Sequence, residues 1–208
     1  PQKWQEYCDK YLTFEDITKE ELQVFKETFL KLMKISRYCT TGGDVYLSKN
    51  PPHTGRVKAL VEMFPNAKFI YLMRNPYTVF ESTRSFFTNT IKPLELQHIS
   101  DEEMEKNILL TYTKLYRAYE EQKKYVPEGN LFEVKFEDFE ADAFGTTKLA
   151  YEKLGIREFD CAEAAIRQYT DRKKGYKKNK YEYKPRTIQL VNENWGYALK
   201  DWDYEIHP

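Results

Sequence analysis

The sequence is poor in cysteine and in glycine. It has 3 cysteines and 8 glycines among 208 residues, and the cysteines lie far apart without metal-ligand spacing. An odd number of cysteines argues against a complete disulfide framework and favours a reducing compartment, although a single Cys8–Cys39 bridge stays open. We therefore predict no metal cofactor and a cytoplasmic location.

Long apolar runs and an excess of one charge are also missing. No run approaches the ~20 apolar residues that span a bilayer, and no signal-peptide pattern occurs. The 33 basic residues balance 33 acidic ones, so no global field draws the chain to nucleic acid or an anionic membrane. We predict no nucleic-acid partner and no membrane segment in these residues. Because the chain begins in mid-pattern at Pro1, we expect an upstream part, where an anchor or signal stays open.

The composition does supply a hydrophobic core. Hydrophobic residues make up 41% of the chain and aromatic residues 16%, and no internal repeat divides the sequence. Length and composition predict one domain over residues 1–208. Its predicted parts are a helical lead-in (1–40), an α/β core (45–170), and a basic segment with a C-terminal helix (171–208).

The central stretch, residues 45–87, predicts strand, helix, strand and helix in that order. VYLSK (45–49) and KFIYLM (68–73) are short runs of apolar, β-branched and aromatic residues, which indicate buried strands. The apolar residues between them recur every three or four positions, as on a helix with one apolar face. A strand-helix-strand unit of this length predicts a parallel pair joined by a crossover helix, and hence an α/β fold.

Local signals place the other elements. Two capping-box pairs predict helix starts: Thr18 with Glu21, and Ser100 with Glu103. LFEVKF (131–136) predicts a third strand, and Gly155 should end a helix over residues 143–154. We also predict a short helix at 162–169 and a last helix before a tail tucked onto the core. The helix after Thr18 should end near Arg37 and bury Leu22, Phe25, Phe29 and Leu32. The long helix after Ser100 should bury Ile108, Tyr112, Leu115 and Tyr119. The last helix should bury Ile188, Val191 and Trp195, and Trp202 and Tyr204 should pack the tail onto the core.

Cations at the predicted strand ends indicate an anion site. Lys49 and Arg74 each end a predicted strand, where open α/β sheets bind ligands. Asn75-Pro76 then predicts an N-cap and first turn, and Ser82 lies seven residues after Asn75, on a similar helix face. An arginine, a hydroxyl and a helix N-terminus suit a phosphate. The residues alone leave open that Arg74 pairs with a carboxylate and Ser82 is a surface hydroxyl.

The segment DRKKGYKKNKYEYKP (171–185) is the one strongly basic run. Its composition fits a solvated loop, or a lid whose cations reach a phosphate. Nucleic-acid binding finds no matching basic surface in the rest of the sequence.

KNPPHTGRVKALVEMFPNAKFIYLMRNPYTVFESTRS resembles the core of the sulfotransferase family that uses 3′-phosphoadenosine 5′-phosphosulfate (PAPS), in the style of its bacterial and tyrosylprotein-type branch. The resemblance continues in FEVKFEDFEADAFGTTKLAYEKLGI and KGYKKNKYEY, and so covers about residues 45–200. It implies a P-loop-NTPase-like parallel sheet flanked by helices. It also implies an enzyme that moves a sulfuryl group to a hydroxyl or amine and releases 3′-phosphoadenosine 5′-phosphate (PAP). Small-molecule, carbohydrate and peptide acceptors all stay open.

The same resemblance implies roles for individual residues. Arg74 and Ser82 match the pair that holds the 3′-phosphate, and Phe136 stands where the family often has a tyrosine near the adenine. Lys49 is a candidate to stabilise the departing 5′-phosphate, unless a carboxylate pairs with it. His53 is the best candidate base, because histidine has a suitable pKa, although it could instead cap a helix. The basic segment adds candidate cofactor contacts: Arg172, Lys173, Lys177 and Lys178.

The family's Gly-Thr-Thr phosphosulfate loop has no counterpart in the sequence. We therefore expect the visible chain to lack its N-terminal portion, and an N-terminal fragment of the same protein stays open as a partner. A non-catalytic phosphonucleotide-binding module of the same fold is an alternative. A nucleotide or small-molecule kinase-like P-loop protein is another, but it would need a Gly-x-x-x-x-Gly-Lys-Ser/Thr loop that these residues lack.

Overall fold

The computed structural model describes residues 3–39, 45–173 and 181–208. These ranges are mostly helical, with two short strands. The helices and strands are α1 (Trp4–Tyr7), α2 (Lys19–Cys39), α3 (Val57–Met63), β1 (Phe69–Met73), α4 (Pro76–Phe86), α5 (Asp101–Gln122), β2 (Leu131–Lys135), α6 (Phe136–Ala141), α7 (Ala143–Leu154), α8 (Phe159–Lys173) and α9 (Pro185–Asp201). Short π-helical turns lie at Cys8–Leu12 and Phe87–Ile91, and 3₁₀ turns at Pro51–Arg56, Lys92–Leu94 and Lys123–Tyr125.

The chain forms two compact units. The first consists of Pro1–Pro65 and Lys114–Tyr125, and the second of Asn66–Thr113 and Val126–Pro208. The organisation of residues 1–208 as one functional domain stays a prediction. All three cysteines are present as thiols, so Cys8 and Cys39 form no bridge. None of the described helices is long and apolar enough to cross a bilayer, and the cellular location also stays a prediction.

In the first unit, α2 begins at the predicted capping box. The Thr18 backbone N–H donates to the Glu21 carboxylate at 3.1 Å, and the Glu21 N–H donates to the Thr18 hydroxyl at 3.2 Å. Phe25 and Phe29 stack at 5.7 Å and are half-buried, as is Leu22. Leu32 is 57% exposed, so its predicted burial is wrong. The described part of α2 runs to Cys39, two positions past the predicted end at Arg37.

The predicted strand at residues 45–49 is not formed. These residues have no regular structure, and Val45 and Leu47 are 83% and 87% exposed. The predicted parallel pairing of VYLSK with KFIYLM is therefore wrong for this structure. A strand requires a neighbour that satisfies its backbone N–H and C=O groups. An apolar alternating run shows that a segment could pair, but it does not show that a partner lies beside it.

The sheet of the second unit has two parallel strands instead. β1 pairs with β2 from Phe69 opposite Leu131 to Met73 opposite Lys135, which confirms the other two predicted strands. The crossover between them includes α4 and α5 rather than one short helix. Because the strands are parallel, both carboxyl ends lie at the same edge of the sheet. The architecture is thus mixed α/β, mostly helical, with a small parallel sheet.

The main core of the second unit joins α4, α5 and α9. Tyr77, Phe80, Val191 and Trp195 are completely buried. The Trp195 indole donates to the Leu109 carbonyl at 3.1 Å, which satisfies the polar atom of the largest core side chain. This cluster confirms the predicted inward face of the last helix at Val191 and Trp195, and it fixes α4, the helix that follows β1.

A smaller cluster covers β2. Phe132 packs against Ala150 and Leu154 of α7. Gly155 then ends α7 in the left-handed conformation, with φ of 60°, as the sequence predicts. The following helix, α8, is longer than the predicted 162–169 segment.

Candidate functional site

The carboxyl edge of the sheet carries an arginine beside a helix start. Arg74 follows β1 and Phe136 follows β2, and the Arg74 guanidinium lies over the Phe136 ring at 4.5 Å from its centroid. The Asn75 side chain accepts the Tyr77 N–H at 3.0 Å, and Pro76 is the first residue of α4. The predicted Asn-Pro helix start is therefore confirmed, and a cation stands at that helix N-terminus.

Arg74 has no carboxylate partner within residues 3–39, 45–173 and 181–208; its contact there is the Phe136 ring. The competing interpretation, in which Arg74 forms an ion pair, is not seen in these ranges. Ser82 is half-buried in α4, and its hydroxyl also makes no hydrogen bond to a described residue. A half-buried arginine on an aromatic ring retains donors for a planar or tetrahedral anion.

Arg84, on α4, differs from Arg74 because it forms ion pairs. Its guanidinium pairs with Glu81 at 2.7 Å and with Glu105 at 3.5 Å. Arg186 also binds Glu105, at 2.8 Å, and the Thr187 hydroxyl donates to Glu81. Glu81 is only 6% exposed. This network, in which the carboxylates are buried and Arg186 is exposed, joins α4, α5 and α9. The Glu81–Arg84 pair has ordinary i,i+3 helix spacing, but no sequence spacing indicated the contacts between helices.

Glu137 is a second group that the sequence did not single out. One of its carboxylate oxygens accepts the Asn75 N–H at 3.2 Å, and the other accepts the Tyr204 hydroxyl at 2.7 Å. Burial, followed by this carboxylate, raises the pKa of Tyr204 far above its usual range, so the phenol stays protonated. The expected docking of the tail is confirmed by Tyr204 and by Trp202, whose ring lies 5.9 Å from that of Tyr71. The position of Glu137, directly after a strand end, was the available signal.

Lys49 and His53 belong to the first unit. Lys49 is exposed, and no carboxylate pairs with it in the part of the chain that the structure describes. The His53 ring packs edge-on against Phe29 at 5.2 Å. Both of its ring nitrogens are buried without a described hydrogen-bond partner, so His53 does not cap a helix. Burial and, secondarily, the charge of Arg56 lower the pKa of His53, which keeps the ring neutral at pH 7.

The basic segment is described only at its two ends. Arg172 and Lys173 are exposed in the last turn of α8, whereas Lys177 and Lys178 lie outside the described residues. Beyond them, the Tyr183 hydroxyl lies 2.7 Å from the Thr78 hydroxyl, in the first turn of α4. No group of metal-binding side chains occurs in the described ranges.

The structure is that of a mixed α/β protein with a small parallel sheet, in which an arginine ends one strand beside a helix start. Residues 3–160 match the sulfotransferase family, and the chain belongs to that family. It is similar to the omega-hydroxy-beta-dihydromenaquinone-9 sulfotransferases of Mycobacterium bovis and Mycobacterium tuberculosis, with 31% identity over 199 residues. These matches cover 96% of this chain and 51% of each relative, so the chain spans about half their length. No solved structure matches it.

Proposed function

We propose that this chain is part of an enzyme that transfers a sulfuryl group from PAPS to a hydroxyl or amine, on a P-loop-NTPase-like fold. Membership of the sulfotransferase family and the names of the mycobacterial relatives support sulfuryl transfer. The observation that carries the proposal is Arg74, which has no described carboxylate partner at the N-terminus of α4. The parallel pairing of β1 and β2 supports the fold.

In this proposal, Arg74 and Ser82 bind the 3′-phosphate of the cofactor. The guanidinium supplies a forked, charged donor, and the hydroxyl supplies a second donor on the flank of the same helix. Phe136 contributes a ring beside Arg74 for the adenine. Further contacts would come from the basic segment, with Arg172, Lys173, Lys177 and Lys178 as candidates. The Tyr183–Thr78 contact supports this role, because it holds the end of that segment at the first turn of α4.

The candidates for the reacting groups are His53 and Lys49, as the family resemblance implies. When bound, PAPS would supply a sulfuryl group: the acceptor oxygen or nitrogen forms a bond to sulfur while the bond between sulfur and the 5′-phosphate oxygen breaks, and PAP is the leaving group. His53 would take the acceptor proton, for which its neutral ring is suited. The charge of Lys49 would stabilise the oxygen of the leaving phosphate. In such a displacement the protein contributes mainly by positioning groups and stabilising charge.

We further propose a small molecule with a hydroxyl group as the acceptor. The printed name of the mycobacterial relatives specifies a hydroxylated menaquinone derivative, and a hydroxyl is the nucleophile that the proposed base would serve. Carbohydrate and peptide acceptors are the alternatives, and a screen of all three classes with labelled PAPS would distinguish them.

The test of the cofactor site is thermal unfolding with PAP and with ADP, which lacks the 3′-phosphate. A ligand present at about 100 times its dissociation constant adds ~2.7 kcal/mol to the free energy of unfolding. We expect stabilisation by PAP but not by ADP, and Arg74→Ala should weaken PAP binding by about 2 kcal/mol, the value of a charge-assisted hydrogen bond.

Arg167→Ala is the matched control. The Arg167 guanidinium also lies over a phenylalanine ring, that of Phe144, at 3.9 Å, but on α8. This variant should keep the response to PAP. Equal stabilisation by ADP and PAP, no response to either, or an unchanged response in Arg74→Ala would contradict the proposed site.

A further inference from the structure

We propose that Tyr204 is a positioning residue that holds the Glu137 carboxylate and thereby keeps Arg74 unpaired for a phosphate. The inference rests on the proposed function, because it concerns the same anion site. It assigns a role to the C-terminal tail, which the sequence placed only as a segment packed on the core.

The strand register brings a carboxylate to the candidate site. Met73 is opposite Lys135 in the parallel pair, so the residues that follow these two lie at one edge. Arg74 rests on the Phe136 ring, and the next residue, Glu137, accepts the N–H of Asn75. A glutamate therefore sits one residue from the ring that carries the guanidinium. Nevertheless, no Arg74–Glu137 ion pair forms.

The hydrogen bonds of Glu137 explain why. Its two oxygens are engaged by the Asn75 N–H at 3.2 Å and the Tyr204 hydroxyl at 2.7 Å. Both donors are neutral, so they fix the direction of the carboxylate without adding a competing positive charge. A half-buried carboxylate that lost one donor would regain stability by turning towards a cation.

The tail itself is held firmly enough to perform this task. The Tyr204 N–H donates to the Leu199 carbonyl at 2.8 Å. The Lys135 ammonium lies over the Tyr204 ring at 4.9 Å and donates to the Asp203 carbonyl at 3.2 Å. The Lys135 ammonium is therefore already bound to the tail. Of the two cations at this edge, Arg74 is the one whose hydrogen-bond donors have no described acceptor.

The first experiment measures PAP affinity by calorimetry in four variants. Tyr204→Phe keeps the ring but removes the hydroxyl, and we expect it to weaken PAP binding by about tenfold, the loss of one charge-assisted interaction. Tyr204→Phe/Glu137→Gln removes the competing charge as well, and should return to within about threefold of the wild type. Glu137→Gln alone should not weaken binding. Tyr197→Phe, which removes a tyrosine hydroxyl of α9 that is bonded to Thr113, is the control.

A purely structural role for Tyr204 predicts the opposite for the double variant. Its affinity would then be as low as that of Tyr204→Phe, or lower, because a second hydrogen-bonding group has been altered. That result would overturn the inference, as would an unchanged PAP affinity in Tyr204→Phe when the wild type binds PAP more tightly than ADP.

A second readout does not depend on the nucleotide. Phenylglyoxal modifies arginines that are accessible and unpaired, and peptide mass spectrometry can quantify the reaction at Arg74. We expect slower modification of Arg74 in Tyr204→Phe and recovery in the double variant; equal rates in all variants would overturn the inference. If the rates change as expected but PAP binds no better than ADP, the proposed function fails while the positioning role of Tyr204 stands.

Discussion

Two arginines ten positions apart show how the surroundings of a residue determine its role. Arg84 forms ion pairs with Glu81 and Glu105, so two carboxylates already neutralise its charge. Arg74 lies on an aromatic ring with no carboxylate partner among the described residues. Arg74 lies just before α4 and Arg84 lies within it, so the difference comes from what the neighbouring elements place beside each arginine. Whether an arginine is available to bind an anion therefore depends on the groups packed around it and not on the residue type.

His53 yields a prediction at the same scale. Its pKa is lowered in the folded chain, whereas the unfolded chain has a histidine pKa of about 6.5. As the pH falls below about 6.5, the unfolded state binds a proton that the folded state rejects, so the free energy of unfolding decreases. We expect His53→Phe to reduce this acid sensitivity in urea unfolding measured between about pH 7.5 and pH 5.5.

The exposed His98 provides the control for that experiment. His98→Phe should leave the pH dependence of unfolding as in the wild type. If His53→Phe and the wild type lose stability equally on acidification, the burial of the imidazole does not account for the acid sensitivity.

At the scale of elements, two glycines test the packing around a turn and within a helix. An added Cβ at Gly55 would lie 2.6 Å from the backbone oxygen of Leu12. At Gly196, inside α9, it would meet nothing within 4 Å. Gly55→Ala should therefore destabilise the first unit by about 1–3 kcal/mol. Gly196→Ala should stabilise the second unit by roughly 0.5–1 kcal/mol, since alanine loses less backbone entropy in a helix.

Denaturant unfolding of both variants, followed by circular dichroism, measures these changes. Both substitutions add one methyl group, so opposite changes in the free energy of unfolding would come from the surroundings of the two glycines. A stabilising Gly55→Ala would show that the backbone there shifts without cost, and a destabilising Gly196→Ala would contradict the open space around α9.

At the scale of the whole molecule, an ion network around the buried Glu81 carboxylate links α4, α5 and α9 of the second unit. Glu81 receives hydrogen bonds from Arg84 and from Thr187, and its loss would leave both donors without this acceptor. We expect Glu81→Ala to lower the free energy of unfolding by about 2–3 kcal/mol. Because the Glu81 carboxylate is buried, salt screens its pairing only weakly, and most of the effect should persist at high salt.

Glu152→Ala, at an exposed position of α7, is the control and should change the stability by less than about 0.5 kcal/mol. Glu81→Gln retains an acceptor for Thr187 and should fall between the two. A Glu81→Ala variant as stable as the control would show that the network contributes little to folding.

Much of the secondary structure could be predicted from the sequence because its signals are local. The Thr18–Glu21 capping box, the Asn75-Pro76 start of α4 and the Gly155 stop of α7 all act within a few residues. The strands at 69–73 and 131–135 were likewise marked by their own apolar composition. Family membership followed from the same kind of evidence, the order of short motifs along the chain.

What the sequence by itself determined was thus the position of helices, two strands and a candidate arginine, since each depends on neighbouring residues. The tertiary structure decided which strands pair, and it left residues 45–49 without a strand partner in the described ranges. It also decided that Arg84 is paired and that Glu137 turns to Asn75 and Tyr204. These contacts join residues that are distant in sequence: Glu137 lies 62 residues from Asn75 and 67 residues from Tyr204. A hydrogen bond or ion pair forms only where folding brings its partners within about 3 Å, and spacing along the chain does not specify that distance.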